Sequence, residues 1–288
     1  MKELVVNWHV TEACNFKCRY CFAHWDRDCK KDLFQNTELV SQLLTELVHL
    51  LSIFNGEFKH LRLNLVGGET FLYKKQIRHV IREALIKGMK LSAVTNGSQL
   101  DDEFIQIISE CFDTIGLSVD SMNDKTNLLI GREEKNRAMD IEKLIQQVKL
   151  LKRLKPDLKV KVNTVVNKLN YQEFLGDFID RINPDKWKVF QMLPMTKQSR
   201  LLEIDKFEFK LFIENHKKYK EILHEESNAK MRESYLMIDP LGRFFQNNKI
   251  EQGYIYSKPI HEVGIEQAFS EISFDKNKFL SRYKRVEV

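Results

Sequence analysis

The chain has 288 residues, 43% of them hydrophobic and 30% charged, which supplies a full-sized core, so that the chain need not be disordered. Its 46 Lys and Arg against 41 Asp and Glu leave +5, a balance that suits a polyanionic ligand and ordinary proteins alike. No apolar run reaches the ~18 residues of a membrane span, and the opening MKELVVNWHV lacks the regions of a secretory leader, so a cytoplasmic chain with no membrane partner and no stable nucleic-acid complex is expected.

The first predicted element is a strand, LVVNWHV at 4–10, with Asn7 facing the interior. His9 reads as a satisfied core histidine, since nothing nearby in sequence supplies an orienting carboxylate. Directly after it, TEACNFKCRYCFAHWDRDC at 11–29 holds four of the five cysteines. An odd number of cysteines in a reducing compartment is poor material for disulfides, and clustering in one loop points to a metal or cluster site. Cys14, Cys18 and Cys21, spaced C-x3-C-x2-C, suffice to hold three irons of a four-iron, four-sulfur cluster and leave the fourth iron open. Zinc is the competing ligand, with Cys29 or His24 completing a tetrahedron, although no second C-x2-C or H-x3-H follows.

Further strands are predicted at 61–66 (LRLNLV), 91–96 (LSAVTN), 114–119 (TIGLSV), 159–166 (KVKVNTVV) and 187–193 (WKVFQML). Between them apolar residues recur at helical spacing, as in Ile77, Val80, Ile81, Ala84 and Leu85, closed by Gly88. Phe104, Ile107, Ile108 and Cys111 repeat that spacing, which makes Cys111 part of an apolar face and not a ligand. Six β units each followed by a helix imply a parallel sheet covered by helices. The fold class is α/β: a partial (β/α)6 barrel over residues 1–200, with a C-terminal extension over 201–288 packed on the barrel mouth. Chemistry belongs at the C-terminal strand ends, where residues 14, 67, 96 and 118 fall.

Buried parallel strands are ordinarily apolar throughout, yet Lys159, Lys161 and Asn163 share one face of their strand, and Lys186 and Lys188 share one face of the next. Such lysines either meet solvent, as on an edge strand, or converge on an anion at the barrel mouth. Past residue 200, FEFKLFIENHKKYKEIL reads as helix and SYLMIDPLGRFF as a hairpin turning at Asp239-Pro240-Leu241-Gly242.

CNFKCRYC resembles the signature of the radical S-adenosylmethionine (SAM) enzymes, and VGGETF at 66–71 resembles their glycine-glycine-glutamate-proline motif with Thr70 in place of proline. The resemblance implies a [4Fe-4S] cluster whose open iron is chelated by the methionine end of SAM. It also implies Tyr20 beside the adenine, and Gly67, Gly68 and Glu69 at the methionine amino group. Longer strings, among them NWHVTEACNFKC, LSVDS, NLLIGR, NPDKWKVFQ and SYLMID, are similar to those of viperin-like members, in the same order over nearly the whole chain. That similarity implies a dehydratase converting a ribonucleoside triphosphate (CTP, UTP or GTP) to its 3′-deoxy-3′,4′-didehydro analogue, fed by an electron donor such as flavodoxin or ferredoxin. It assigns Ser118 and Arg132 to SAM, with Asn96 as a further cofactor residue. It assigns Asn7, Arg62, Asn64, Lys161, Asn163, Lys186 and Lys188 to the nucleotide, and Tyr235 to a place near the ribose as proton or hydrogen donor. Cys29 is expected to be no ligand. Arg62 replaces a lysine and Lys186 an arginine of the animal members, which keeps charge and changes hydrogen-bond geometry.

Overall fold

The computed structural model describes residues 3–21, 31–194, 196–247 and 254–283. Its centre is a ten-stranded sheet: β1 (Glu3–His9), β2 (His60–Val66), β3 (Lys90–Thr95), β4 (Thr114–Ser118), β5 (Lys159–Val166), β6 (Lys186–Gln191), β7 (Leu223–Glu226), β8 (Leu236–Ile238), β9 (Arg243–Asn247) and β10 (Tyr254–Pro259). The spatial order is β10-β9-β8-β1-β2-β3-β4-β5-β6-β7. Every pairing from β8 through to β7 is parallel, and β8–β9 and β9–β10 are antiparallel. The six strands expected from the sequence are β1 to β6, and the expected hairpin is β8–β9 around Asp239–Gly242.

The parallel part is wider than six strands. LHEE (β7) pairs with β6, and LMI (β8) pairs with β1, so the chain crosses from one sheet edge to the other within residues 227–235. These strands are too short and, in β7, too polar to announce themselves by periodicity.

Alternation along each strand separates two environments. Leu4, Val6 and Trp8 of β1 are fully buried under the helices, whereas Val5, Asn7 and His9 line a cavity of about 940 Å³ on the other face. β5 does the same: Val160, Val162 and Thr164 are fully buried, and Lys159, Lys161, Asn163 and Val165 face the cavity.

The outer layer is built from α1 (Thr37–Ile53), α2 (Lys74–Ile86), α3 (Asp102–Cys111), α4 (Asp124–Ile130), α5 (Ile141–Leu154), α6 (Gly176–Ile182) and α7 (Lys206–Asn215). In α1 the side chain of Asn36 accepts from the Glu38 and Leu39 amides, and Val40, Leu43, Leu44, Leu47 and Leu50 form one buried stripe. Each such leucine contributes roughly 1.5–3 kcal/mol through burial. Asp101 and Asp140 cap α3 and α5 in the same way. Gly88, at φ +71°, lets the chain leave α2. No helix among the described residues is long and apolar enough to cross a membrane.

Candidate active site

The loop that follows β1 is clamped backbone to backbone. Gly68 N–H donates to the Thr11 carbonyl at 2.8 Å and Glu69 N–H to that of Ala13 at 2.9 Å, while Lys17 and Arg19 donate to Gly131 and Ile130 at 3.1 and 2.8 Å. A Cβ on Gly68 would stand 2.1 Å from the Ala13 oxygen, and one on Gly131 2.3 Å from the Lys17 oxygen. Side chains larger than hydrogen are thus excluded by the cysteine loop itself. Gly67, at φ +140°, meets Thr11 in the same fashion. The glycine pair was read from the sequence as an approach to cofactor; the atoms it approaches here are those of residues 11 and 13.

Cys14, Cys18 and Cys21 are half-buried thiols on that loop. Burial pushes Cys14 and Cys18 up to about 12, with the nearby Glu69 charge adding to the shift at Cys14. Thiols held this way need a cationic metal to become ligands. Among the described residues no three His, Cys, Asp or Glu converge on a single metal ion. A cluster takes one thiolate per iron and requires sulfurs that stand apart, so the donor set fits a [4Fe-4S] group. Cys29 and His24 lie outside the described residues. Cys111 sits at the end of α3, far along the chain from this loop, with its thiol raised by burial.

Glu69 is buried, and its carboxylate already accepts from Thr95 Oγ1 (2.6 Å), Asn96 N–H (2.8 Å) and Phe71 N–H (3.2 Å). Burial holds its pKa above the usual carboxylate range despite those donors. Thr70, standing for proline, donates to the Val94 carbonyl at 2.7 Å and so ties the motif to β3. Asn96 bridges the same region: its Nδ2 donates to Asn15 at 3.1 Å and lies 3.9 Å from the Cys14 sulfur. Arg132, which the resemblance assigns to SAM, is itself held by protein groups. Its Nε donates to Asp120 at 2.5 Å and its Nη2 to the Tyr20 hydroxyl at 2.7 Å, while Tyr20 in turn donates to Asp120. Ser118 lines the cavity, and its hydroxyl has no hydrogen bond among the described residues.

Tyr20, Cys21, Ser118 and Arg132 share the cavity with Asn7, Arg62, Asn64, Lys161, Asn163, Lys186, Lys188 and Tyr235. Gly67, Gly68, Glu69, Asn96, Cys14 and Cys18 are not among the residues that line it. The nucleotide candidates divide into three groups. Asn7, Asn64 and Ser92 form a hydrogen-bonded row across β1, β2 and β3, at 2.7 and 2.8 Å. Arg62 is engaged: it donates twice to Glu3, at 2.8 and 2.6 Å, and to Thr114 at 2.9 Å. The resemblance assigns Arg62 to the nucleotide but gives no sign that Glu3 reaches it from the next strand. Burial raises Glu3, but Lys90 and Arg62 outweigh it and hold the carboxyl below its ordinary range.

Lys161, Lys186 and Lys188 form the third group. Register sets Lys161 opposite Lys186 and Asn163 opposite Lys188, in the N-terminal and middle parts of β5 and β6. The cationic patch therefore lies deep in the barrel, away from the strand ends that carry the cysteine loop, and not at the mouth. Lys161 makes no ion pair or hydrogen bond among the described residues. Burial, then the charges of Lys188, Arg62 and Lys186, push it down to about 7, and burial with Lys188 brings Lys186 to about 8. His224 on β7 is lowered to about 4 by burial and by Lys186 and Lys188. His9 is likewise lowered to about 4 by burial and packs edge-on against Phe245 at 5.0 Å, but it lines the cavity and is not the core ring that the sequence suggests.

At the seam between the sheet edges, sequence reasoning missed two residues. Glu226 of β7 pairs with Lys188 at 3.3 Å and with Arg282, which projects from the C-terminal helix Lys276–Tyr283. Arg282 also donates to the Tyr235 hydroxyl at 2.7 Å, and Lys188 donates to it at 3.1 Å. Burial raises Glu226, but Lys188 and Arg282 together hold it below the ordinary carboxylate range. Neither residue belongs to a short motif, and their polar surroundings gave no periodic signal.

Residues 8–178 match the model of the radical SAM superfamily. The chain is 48% identical over 291 residues to an S-adenosylmethionine-dependent nucleotide dehydratase of Psychrobacter lutiphocae, covering 100% of this chain and 97% of that protein. A protein of the same description from Fibrobacter sp. is 36% identical over 308 residues (99% and 89% covered), and one from Oncorhynchus mykiss is 30% identical over 292 residues (96% and 78%). Among solved structures, anSMEcpe with bound AdoMet superposes with a TM-score of 0.65 at 14% identity, covering 97% of this chain and 82% of that one. SuiB of Streptococcus suis bound to S-adenosylmethionine gives 0.65 at 16% identity, with 99% and 69% covered. These two likenesses establish the fold. The superfamily uses a [4Fe-4S] cluster with SAM, the group that the thiol loop fits. The chain belongs to the radical SAM superfamily and, within it, to the viperin-like family of these relatives.

Proposed function

We propose that this protein is a radical SAM dehydratase that converts a ribonucleoside triphosphate (CTP, UTP or GTP) to its 3′-deoxy-3′,4′-didehydro analogue, an antiviral chain terminator. The observation that carries this reading is Lys161. A half-buried ammonium with cationic neighbours and no partner among the described residues, in the same cavity as Cys21 and Tyr20, calls for a polyanion within reach of the cysteine loop. A radical enzyme acting on an uncharged stretch of peptide would have no use for it. The names of the relatives support the same reading.

Cys14, Cys18 and Cys21 would hold the cluster, and Tyr20, Gly67, Gly68, Glu69, Asn96, Ser118 and Arg132 would surround SAM. Bound there, the pair supplies a 5′-deoxyadenosyl radical able to take a hydrogen atom. The protein's part is placement and exclusion of water. Lys161, Lys186 and Lys188 hold phosphate oxygens, with Arg62 beside them, and Asn7, Asn64 and Asn163 orient the sugar between phosphates and cofactor. The ribose loses its 4′-hydrogen, one proton lets its 3′-hydroxyl depart as water, and one electron completes the alkene. The Tyr235 hydroxyl, held by Lys188 and Arg282, is the donor of that proton. The electron comes from a carrier such as flavodoxin or ferredoxin in the cytoplasm, where thiols stay reduced. The partial barrel of residues 1–200 is extended by strands of 201–288 in the same sheet, and this extension brings Tyr235 and Arg282 to the cavity, with Glu226 pairing Arg282.

Anaerobically reconstituted, reduced protein incubated with SAM and each ribonucleoside triphosphate should yield a nucleotide lighter by one water, detected by mass analysis. Absence of that product with all of them, alongside turnover on a peptide or RNA, would overturn the reading.

A further inference from the structure

The sequence and the family signature point to Arg132 and Tyr20; the residue that joins them is Asp120. It is fully buried at the turn after β4, and each carboxylate oxygen is committed. Oδ2 accepts from Arg132 Nε at 2.5 Å and from the Tyr20 hydroxyl, and Oδ1 accepts the Val165 amide of β5 at 2.8 Å. Its backbone carbonyl accepts Asn170 Nδ2 at 2.9 Å. One side chain thus ties four pieces of chain together, and one of them, Tyr20, lies between the second and third cysteines.

The consequence falls on Arg132. Its side chain is buried, Nε is held by Asp120 and Nη2 by the Tyr20 oxygen, so Nη1 is the nitrogen left without a hydrogen bond among the described residues, and the residue lines the cavity. A guanidinium fixed at two nitrogens presents its third in one direction only. We propose that Asp120 is a positioning residue for the cofactor: it aims the free edge of Arg132 at the carboxylate of SAM and locks that edge to the cysteine loop through Tyr20. The proposal rests on the reading that Arg132 receives the SAM carboxylate. An unanchored arginine would sweep several rotamers and would pair with that carboxylate at an entropic cost.

The test uses the cluster-loaded, full-length protein and two probes, SAM and decarboxylated SAM, titrated by calorimetry with iron content measured in parallel. The wild type should prefer SAM. In Arg132→Ala that preference should collapse; if it persists, the carboxylate reading is wrong. In Asp120→Asn, SAM should bind roughly tenfold more weakly while decarboxylated SAM binds as in the wild type and iron content is unchanged. Tyr20→Phe, which removes one hydroxyl, should move SAM affinity the same way by a smaller factor, and it covers the case in which Asp120→Asn fails to fold. A merely structural role would weaken both probes alike or neither. If Arg132→Ala loses the preference while Asp120→Asn and Tyr20→Phe keep it, Asp120 does not position Arg132 and the proposal falls.

Discussion

The two ends of the cavity handle charge in opposite ways. At the cysteine-loop end each ionic group has its partners: Glu69 has three donors, Asp120 binds Arg132 and Tyr20, and Gly67, Gly68 and Gly131 press the loop into place by backbone contact. At the deep end Lys161 and Lys186 lie among like charges, with pKa values brought to about 7 and 8, and Lys188 depends on Glu226. A resident cofactor calls for a finished scaffold, since its site is rarely vacated. A site for a substrate that arrives and leaves retains electrostatic stress that only the substrate relieves. The difference between the ends therefore separates the scaffold of a resident cluster, at which SAM is spent at each turnover, from the site of a transient anion.

The contrast can be broken most sharply at the scaffold. Cys18→Ala should remove most of the iron and reduce SAM cleavage to background, because two thiolates retain a cluster poorly, while calorimetric binding of nucleotide is preserved. Near-normal iron in that variant would show that the loop end is not the resident site. At the deep end, Lys161→Ala should weaken triphosphate binding about tenfold to a hundredfold, the equivalent of roughly 1.5–3 kcal/mol for one charge-assisted contact, with SAM binding unchanged. Unaltered affinity for every triphosphate would mean that the lysine stress serves no anion.

Acidity sharpens the same contrast. In the free protein Lys161 gives up its proton from about 7 instead of the ordinary 10.5. A bound polyphosphate stabilises the ammonium and raises that value. Between these limits the complex holds more protons than the free protein, so affinity should fall as pH rises from about 7 toward 10, with proton uptake approaching about one per site. Calorimetry in buffers of different ionisation enthalpy reads the uptake directly, and Lys161→Met should lose most of it. The sign for folding is also fixed: a lysine lowered by burial makes the folded state relatively more stable as pH rises through that window. The smallest effect is expected at the seam. Glu226→Gln frees Lys188 and Arg282 for phosphate and should tighten triphosphate binding roughly three- to tenfold, with a lower Tm because Arg282 loses its buried partner. Weaker binding would make Glu226 part of the nucleotide site and not its stand-in.

What was legible in the sequence follows the range of the signal. β1 to β6 lie within one or two residues of their expected ends, because β-rich runs and helical spacing are local. The cysteine triplet and GGE are compact motifs, and alternation put Lys159 with Lys161 and Lys186 with Lys188 on shared faces, which line the cavity. Pairing across elements left no trace. The carboxylate of Asp120 meets Arg132 through a turn, Glu3 meets Arg62 across strands, and Glu226 and Arg282 are 56 residues apart. Position in depth was also hidden, since a strand's face is written in its period but its level in the barrel depends on the register with its neighbours.

The crossing of the chain between β7 and β8 has a consequence for the order of biosynthesis. β1 pairs with β2 on one side and with β8 on the other, and Asn7 Nδ2 donates to the Leu236 carbonyl at a separation of 229 residues. The first strand to emerge from the ribosome is thus among the last to be sealed. Until residues 236–238 are made, it presents an unpaired edge, the feature that invites wrong pairing between chains. The loop residues that contact Gly67, Gly68 and Gly131 gain those supports before half of the chain is complete. A nascent chain halted short of residue 236 should therefore carry an assembled cysteine loop beside an open flank, and full-length release closes that flank.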